Sequence, residues 1–149
     1  MKRKTQQISI LLIALIMGAC TTTKNTTSSN GNQTITEKHW KLIELNGKEI
    51  IAGNGSMKEP HILLQKQDSR AIGNGNCNSF NGEYALGEGN KLSFKPMAAT
   101  MMACPDMATE SEMFKMFAQV DSYSVSKDGK FLFLNKSGQK EALAKFEEK

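Results

Sequence analysis

The sequence has few of the residues on which enzymes and metal sites commonly depend. It contains two histidines in 149 residues, and aromatic residues make up 7% of the chain. Neither His39 nor His61 lies in a His-x-His or His-Glu-x-x-His pattern, so the sequence indicates no zinc site. Ser79 is not in the Gly-x-Ser-x-Gly turn of a nucleophilic serine. We therefore predict that the protein is not an enzyme and needs no cofactor. A hydrolase with a polar pocket that the sequence does not reveal is the alternative.

A surplus of positive charge is also absent from most of the chain. Three of its 19 basic residues, Lys2, Arg3 and Lys4, lie in an N-terminal leader, which leaves 16 basic and 15 acidic residues from position 20 onward. Surfaces that bind DNA or RNA need clustered cations, so we expect no nucleic-acid partner. The length allows one domain of ordinary size, which we expect to be a monomer.

The leader has the pattern of a bacterial lipoprotein signal. Residues 8–17 (ISILLIALIM) form an apolar run that suits a signal peptide and is too short to span a bilayer. Met17-Gly18-Ala19-Cys20 follows and resembles a lipobox, in which Cys20 is lipidated and the chain is cut before it. An ordinary secretory signal or a short membrane anchor is the alternative.

Residue 21 is Thr and not Asp, which by the usual sorting convention favours the outer membrane, facing the periplasm. A Gram-positive cell surface is the other location that the signal allows. Residues 21–36 contain Ile35 as their one apolar side chain, so they cannot bury enough surface to offset the entropy of ordering. We therefore predict a signal peptide over residues 1–19, a flexible tether over 20–36 and one domain over 37–147.

The residue pattern of the domain predicts short strands separated by turns, with one helix. Strands are predicted at residues 39–45, 49–51, 61–66, 70–74, 83–86, 91–95, 122–126, 130–134 and 141–146. Asn46-Gly47 is the strongest of the hairpin signals between them. We predict an α+β fold: an antiparallel β-meander or a small open barrel with one packed α-helix.

The helix is predicted over residues 109–120 (TESEMFKMFAQV). Thr109 is a candidate N-cap, with Glu112 completing a capping box, and Glu110 adds favourable charge at the positive end of the helix. One apolar stripe is expected to cover the sheet. It consists of Met113, Phe114, Met116, Phe117 and Val120.

Two cysteines of the domain, Cys77 and Cys104, form an even pair in a chain that we expect to be exported. A disulfide is the default in an oxidising compartment. The loop between them has 26 residues, for which loop-closure entropy predicts roughly 3–4 kcal/mol of stabilisation. A metal-ligand pair and a redox couple are the alternatives.

Methionines cluster beside Cys104. Soft thioether and thiolate ligands select copper(I), so a periplasmic copper-binding protein is an alternative function. Its candidate ligands are Met97, Met101, Met102, Met107 and Cys104. Filling of irregular gaps in a core is the simpler explanation for methionines, above all for Met113 and Met116 on the helical stripe.

The segment around Cys77 is rich in glycine and asparagine. A phosphate-binding loop would be followed by a helix, but here a strand is predicted after Gly82, and the Walker lysine is missing. Glycine and asparagine more simply supply the left-handed backbone conformations of a tight turn.

Several of these sequence motifs, taken together, resemble those of the META domain family, which includes HslJ-like heat-shock lipoproteins. The resemblance covers about residues 37–147. It rests on Trp40-Lys41-Leu42, on the GNCNSFNGEY segment at 75–84, on Thr100-Met101-Met102-Ala103-Cys104-Pro105 and on Glu112. It implies a compact antiparallel sheet with a packed helix, no catalytic residues, and two recurring cysteines that match Cys77 and Cys104.

The resemblance also implies export, frequent lipidation, and links to heat shock and to tolerance of the antibiotic novobiocin. We therefore expect a non-enzymatic binding or structural module in the envelope stress response. Its partners would be the membrane, through the N-terminal lipid, and an envelope protein or small ligand that the sequence does not identify.

Overall fold

Hairpins form where the sequence places turn residues between alternating strands. The chain is represented by a computed structural model that describes residues 34–51 and 58–149. The signal peptide, Cys20 and the tether up to residue 33 lie outside the described residues. Asn46 and Gly47 both have positive φ angles, of 50° and 73°, as a two-residue hairpin turn requires. The hairpin predicted there is confirmed.

Within the described ranges the chain forms ten strands and one α-helix. The strands are β1 (His39–Leu45), β2 (Lys48–Glu49), β3 (His61–Gln65), β4 (Arg70–Asn74), β5 (Ser79–Gly87), β6 (Lys91–Phe94), β7 (Ala98–Ala99), β8 (Ser122–Val125), β9 (Phe131–Asn135) and β10 (Ala144–Glu148). The helix α1 (Ala108–Phe117) lies between β7 and β8. Most predicted strands are present. However, β5 begins four residues before its predicted start, β7 was not predicted, and β10 lies later than expected.

The strands close into a barrel, so the predicted α+β fold with an open meander or open barrel is wrong. Eight antiparallel strands follow one another in the order β1, β3, β4, β5, β6, β8, β9 and β10, and β10 pairs with β1 to complete the ring. The two short strands are additions, β2 on β1 and β7 on β5. The fold is mostly β because the single helix has only ten residues. Closure removes the exposed edges that an open sheet would leave.

Closure depends on strand β1, which pairs with both β3 and β10. Its register with β10 shifts between Leu42 and Glu44, which marks a β-bulge. Trp40 and Leu42 point into the barrel before the bulge, and Leu45 is buried after it although it lies out of phase with them. The bulge therefore explains an apolar pattern that simple alternation does not fit.

One hydrophobic core fills the barrel, and α1 covers it. Trp40, Leu42, Ile62, Leu64, Leu132, Leu134 and Phe146 are fully buried barrel residues. Met113, Met116 and Phe117 of α1 are buried in the same core, as the helical stripe predicted. The ring centroids of Phe117 and Phe80 lie 5.2 Å apart, and those of Phe117 and Phe94 lie 4.8 Å apart. Such aromatic contacts fix the helix against the sheet.

The packed part of the chain begins before residue 37. Ile35 is 2% exposed, and its carbonyl oxygen accepts a hydrogen bond of 2.8 Å from Nε1 of Trp40. The last residues assigned to the tether therefore belong to the core of the domain. Among the described residues, no helix is both long enough and apolar enough to cross a membrane.

Candidate functional site

A disulfide joins the turn before β5 to the segment between β7 and α1. Cys77 and Cys104 are bonded, with their Cα atoms 6.1 Å apart, so the predicted disulfide is confirmed. Cys77 is buried and Cys104 is half-buried. The bond fixes one point of residues 100–107, which we call the methionine loop. Because its sulfur is bonded to Cys77, Cys104 offers no thiolate to a metal ion in this state.

The side chain of Asn78 anchors the start of the methionine loop. Its Oδ1 atom accepts hydrogen bonds from the Thr100 hydroxyl at 2.7 Å and from the Met102 N–H at 2.8 Å. Its Nδ2 atom donates to the Met102 carbonyl oxygen at 3.1 Å. Asn78 is 1% exposed, so its own end of these part-buried bonds is shielded from water. They hold the loop by the Thr100 hydroxyl and by the backbone of Met102, and they leave the methionine side chains out of the anchoring.

Asn78 is held in turn by the carboxylate of Glu110, in the first turn of α1. One carboxylate oxygen accepts from the Asn78 backbone N–H at 2.6 Å, and the other accepts from Asn78 Nδ2 at 2.9 Å. Glu110 is 6% exposed. Sequence reasoning gave Glu110 only a helix-end charge and missed this buried role. The sequence offers no signal for it beyond the position in the first turn, because the partner lies 32 residues away.

The glycine and asparagine segment before β5 forms the turn that places Asn78. Asn76 has a φ angle of +107°, and its N–H donates to Oδ1 of Asn74 at 2.9 Å. A Cβ atom at Gly75 would lie 2.7 Å from Cγ of Glu110, so a larger residue would displace that side chain. The segment continues into a strand and not a helix, as expected for a turn. Its glycine makes room for a buried glutamate.

The methionine loop presents apolar side chains to solvent. Met101 is 98% exposed, Met102 49% and Met107 36%. Across residues 96–109 the one charged side chain that reaches the surface is Asp106, whose Oδ1 accepts from the Ala108 N–H at 2.9 Å. A rigidly anchored segment with exposed thioethers and little charge is suited to contact another apolar surface.

The candidate copper ligands divide between different environments. Met101, Met102 and Met107 are exposed, whereas Met97 is partly buried and packs its sulfur over Gly82, where an added Cβ atom would lie only 2.3 Å from it. Cys104 is bonded to Cys77. Over residues 34–51 and 58–149, no group of three or more His, Cys, Asp or Glu side chains could hold a metal ion.

The start of α1 differs from the prediction. The helix begins at Ala108 after Met107, with no side-chain N-cap bond, so neither the Thr109 cap nor the capping box with Glu112 forms. Asp106 supplies the nearest side-chain acceptor. Glu112 instead bonds Lys115 at 2.7 Å and accepts from Asn46 Nδ2 at 3.2 Å. The helix starts one residue earlier than predicted and ends at Phe117, three residues before the predicted end.

The two histidines stack on each other at the ends of β1 and β3. The rings of His39 and His61 lie 4.4 Å apart, and His39 Nε2 lies 3.2 Å from a carboxylate oxygen of Glu59. Burial raises the pKa of Glu59, but hydrogen bonds from Lys149 and His39, together with the positive charges of Lys149 and Lys41, outweigh it and leave that pKa below its ordinary value. The sequence did not indicate this pairing. These bonds tie the C-terminal residue to the strand ends.

Two shallow cavities, among those that the described residues line, lie elsewhere on the surface. The one of about 440 Å³ is lined mainly by residues 139–143 with Asn46 and Gln119. Another of about 290 Å³ lies beside Tyr84, whose hydroxyl donates to the Gln65 carbonyl oxygen at 3.0 Å. Burial, together with the charge of Glu37, raises the pKa of Tyr84. Neither cavity is lined by a histidine or a cysteine.

A family model described as the META domain matches residues 33–149. An NMR structure of a protein from Burkholderia xenovorans is similar, at 21% identity and a TM-score of 0.60, with 76% of this chain and 83% of that chain covered. A second NMR structure is similar at 19% identity and a TM-score of 0.55, with 74% and 87% covered. At these identities the likeness concerns the fold. No curated protein matches the chain.

Proposed function

The chain belongs to the META domain family, and we propose that it is a non-enzymatic binding module that contacts apolar segments of partner proteins through its methionine loop. The observation that carries the proposal is the contrast between a fixed backbone and free side chains. The disulfide and Asn78 hold the loop, while Met101 and Met102 project into solvent. An anchored loop loses little entropy on binding, which favours affinity.

The chemistry of the loop favours a polypeptide partner over a lipid surface. Methionine is unbranched and flexible, so its thioether adapts to apolar side chains of different shapes. Binding to anionic lipids would need lysine or arginine near the apolar residues. Residues 96–109 contain neither, and their exposed charge is the negative one of Asp106.

Binding of a defined peptide pair tests this proposal. The probe is a labelled extended peptide with four leucines, and the control probe is the same peptide with four serines. We expect the protein to bind the leucine peptide, and the double substitution Met101→Ser and Met102→Ser to weaken binding by about tenfold or more. Fluorescence anisotropy measures both.

Leu86→Ser is the matched control variant, because Leu86 is another exposed apolar side chain, 47% exposed, on strand β5. It should leave binding of the leucine peptide unchanged. Equal binding of the two peptides, or an equal loss in the Leu86 variant, would show that the methionine loop is not the binding surface.

The proposal places this module outside the cytoplasm. It is exported, cut before Cys20 and held by lipid in the cell envelope, at the outer membrane facing the periplasm, where it acts in tolerance of heat and antibiotic stress. The lipobox-like Met17-Gly18-Ala19-Cys20 supports this, and so do the export and lipidation that the resemblance to the META family implies. Intact mass of protein extracted from membranes should show a chain that begins at Cys20 and carries acyl groups. A Cys20→Ser variant should lack them, and an uncleaved wild-type chain would contradict the proposal.

Copper(I) binding is the second candidate, and the three exposed thioethers of the methionine loop are what favours it. Titration of the reduced protein with copper(I) under anaerobic conditions tests it. Binding should weaken when Met101 and Met102 are both changed to leucine, which keeps the apolar character and removes the sulfur. Unchanged binding in that variant would remove this candidate.

A further inference from the structure

We propose that the methionine loop is a site of sulfoxide formation by hydrogen peroxide, with Met101 oxidised first among the methionines of residues 34–51 and 58–149, and that the fold tolerates this modification. The exposures of the methionines set the order. Met101 is 98% exposed, Met102 49% and Met107 36%, whereas Met113 and Met116 on α1 are 0% and 1% exposed. Peroxide reaches the first three directly, but it reaches the last two only when the core opens.

The reaction is a two-electron oxidation of the thioether. The sulfur lone pair forms a bond to one peroxide oxygen and the O–O bond breaks. The proton of the attacked oxygen passes to the departing hydroxide, which leaves as water. Sulfur is oxidised, peroxide is reduced, and the product is methionine sulfoxide. Cys77 and Cys104 are joined in the disulfide, so in the described part of the chain no free thiol competes for the oxidant.

The fold tolerates the change because none of the anchors of the loop uses a thioether. Asn78 bonds the N–H and carbonyl oxygen of Met102 and the hydroxyl of Thr100. The second anchor is the disulfide at Cys104. A sulfoxide at Met101 therefore adds a polar oxygen where solvent already surrounds the side chain, and it breaks no contact of the core.

Oxidation also changes what the loop can bind, and this step rests on the proposed function. A sulfoxide is polar and chiral, so it would no longer fit an apolar segment. Reduction by a methionine sulfoxide reductase would restore the thioether. The loop would then bind partners only in its reduced state.

Peptide mapping of the peroxide-treated full chain tests the order of oxidation. Trypsin does not cut between Lys95 and Pro96, so after reduction and alkylation residues 92–115 form one peptide. This peptide contains Met97, Met101, Met102, Met107 and Met113. Fragment masses therefore compare exposed and buried sulfurs within the same molecule. We expect Met101 to oxidise at least about tenfold faster than Met113.

The same reaction in concentrated urea is the control, since it exposes every methionine. There, Met101 and Met113 should oxidise at rates within about twofold of each other. Two results would overturn the proposed order. One is equal oxidation rates of Met101 and Met113 in the folded chain, and the other is a rate for Met101 that is much lower in the folded chain than in urea. Neither result depends on the peptide-binding experiment, so the two proposals fail separately.

Urea unfolding tests whether the fold tolerates the modification. The midpoint is measured on a sample in which Met101 and Met102 are already oxidised and Met113 is not. We expect it to equal that of the untreated chain. A midpoint that falls in the wild type, but not in a Met101→Leu, Met102→Leu variant under the same treatment, would overturn this part of the proposal.

Discussion

Asn78 connects three parts of the molecule with one buried side chain. It bonds Thr100 and Met102 of the methionine loop and Glu110 of α1, and it follows Cys77 of the disulfide. In the described part of the chain no buried side-chain nitrogen or oxygen lacks a hydrogen-bond partner, as a buried polar site requires. Removal of the Asn78 amide leaves several of these groups unpaired at once.

Asn78→Ala should therefore lower the free energy of unfolding by about 2–4 kcal/mol, since each stranded buried group costs about 1–3 kcal/mol. Urea unfolding followed by circular dichroism measures it. Asn81→Ala is the matched control: the Oδ1 atom of Asn81 accepts from Arg70 at 2.8 Å on the exposed surface, so its loss should cost no more than about 0.5 kcal/mol. Similar losses in both variants would refute the anchoring role.

Some of these residue roles could be predicted from the sequence and others could not. The pairing of Cys77 with Cys104 followed from their number and from the expected compartment. The burial of Glu110 did not follow, because an acidic residue at a helix start is most often solvated. Its partner lies on a different element, and only the packing of α1 against the turn brings the two together.

The spacing of apolar residues in helix α1 correctly predicted which face of the helix packs against the barrel. Its stripe faces the barrel as expected, with Met113 and Met116 fully buried. Its predicted cap was wrong, because the first turn is fixed by Glu110 and not by Thr109. The period of the apolar residues is a property of the whole helix, whereas a cap depends on one local contact that tertiary packing can replace.

Met113→Ala should lower the free energy of unfolding by about 2–5 kcal/mol, because it opens a cavity under the helix. Met101→Ala is its matched control, the same substitution at a side chain that is 98% exposed, and it should change stability by less than about 0.5 kcal/mol. Thermal or urea unfolding of the two variants gives the comparison. Equal effects would show that the two methionines do not differ in burial.

At the scale of the whole molecule, the barrel is closed by strands from opposite ends of the domain. Strand β1 pairs with β10, and Trp40 lies opposite Glu148, which is 108 positions later in the chain. The disulfide links the turn before β5 to the methionine loop, between cysteines that are 27 positions apart in the chain. Both features connect segments that no local pattern relates.

Reduction of the disulfide should lower the free energy of unfolding by roughly 3.5 kcal/mol, from the entropy that the opened loop regains in the unfolded state. Urea unfolding with and without a phosphine reductant measures it. A Cys77→Ala, Cys104→Ala variant should show the lower stability in both conditions. A wild type that does not respond to complete reduction would contradict the expectation.

Acid should also destabilise the fold. Five surface carboxyls have pKa values held below their ordinary ones by hydrogen bonds and nearby cations: Glu59, Glu83, Glu112, Asp121 and Asp128. For Asp121 the main cause is the backbone N–H of Ser137, at 2.7 Å. In the unfolded chain the pKa values return to about 4.5 for Glu and 3.8 for Asp, so acid protonates the unfolded state first.

The urea midpoint should therefore be highest at a pH above these ordinary pKa values. It should fall as the pH is lowered through them and then through the lower pKa values of the folded state. Midpoints measured across this range check the direction. Asp121→Asn removes one of the groups and should make the decline shallower. A midpoint that rises on acidification would contradict the prediction.

Local structure could be predicted from the order of amino acids alone: the Asn46-Gly47 hairpin, the positions of most strands, the buried stripe of α1 and the pairing of the cysteines. These depend on turn conformations, on side-chain alternation over a few residues and on the number of thiols. Closure of the sheet, the stacking of His39 on His61 and the contact of Asn78 with Glu110 could be seen only once the chain was folded. Each of these joins segments that are distant along the chain, and their contact is set by the curvature of the complete sheet and by the bulge in β1.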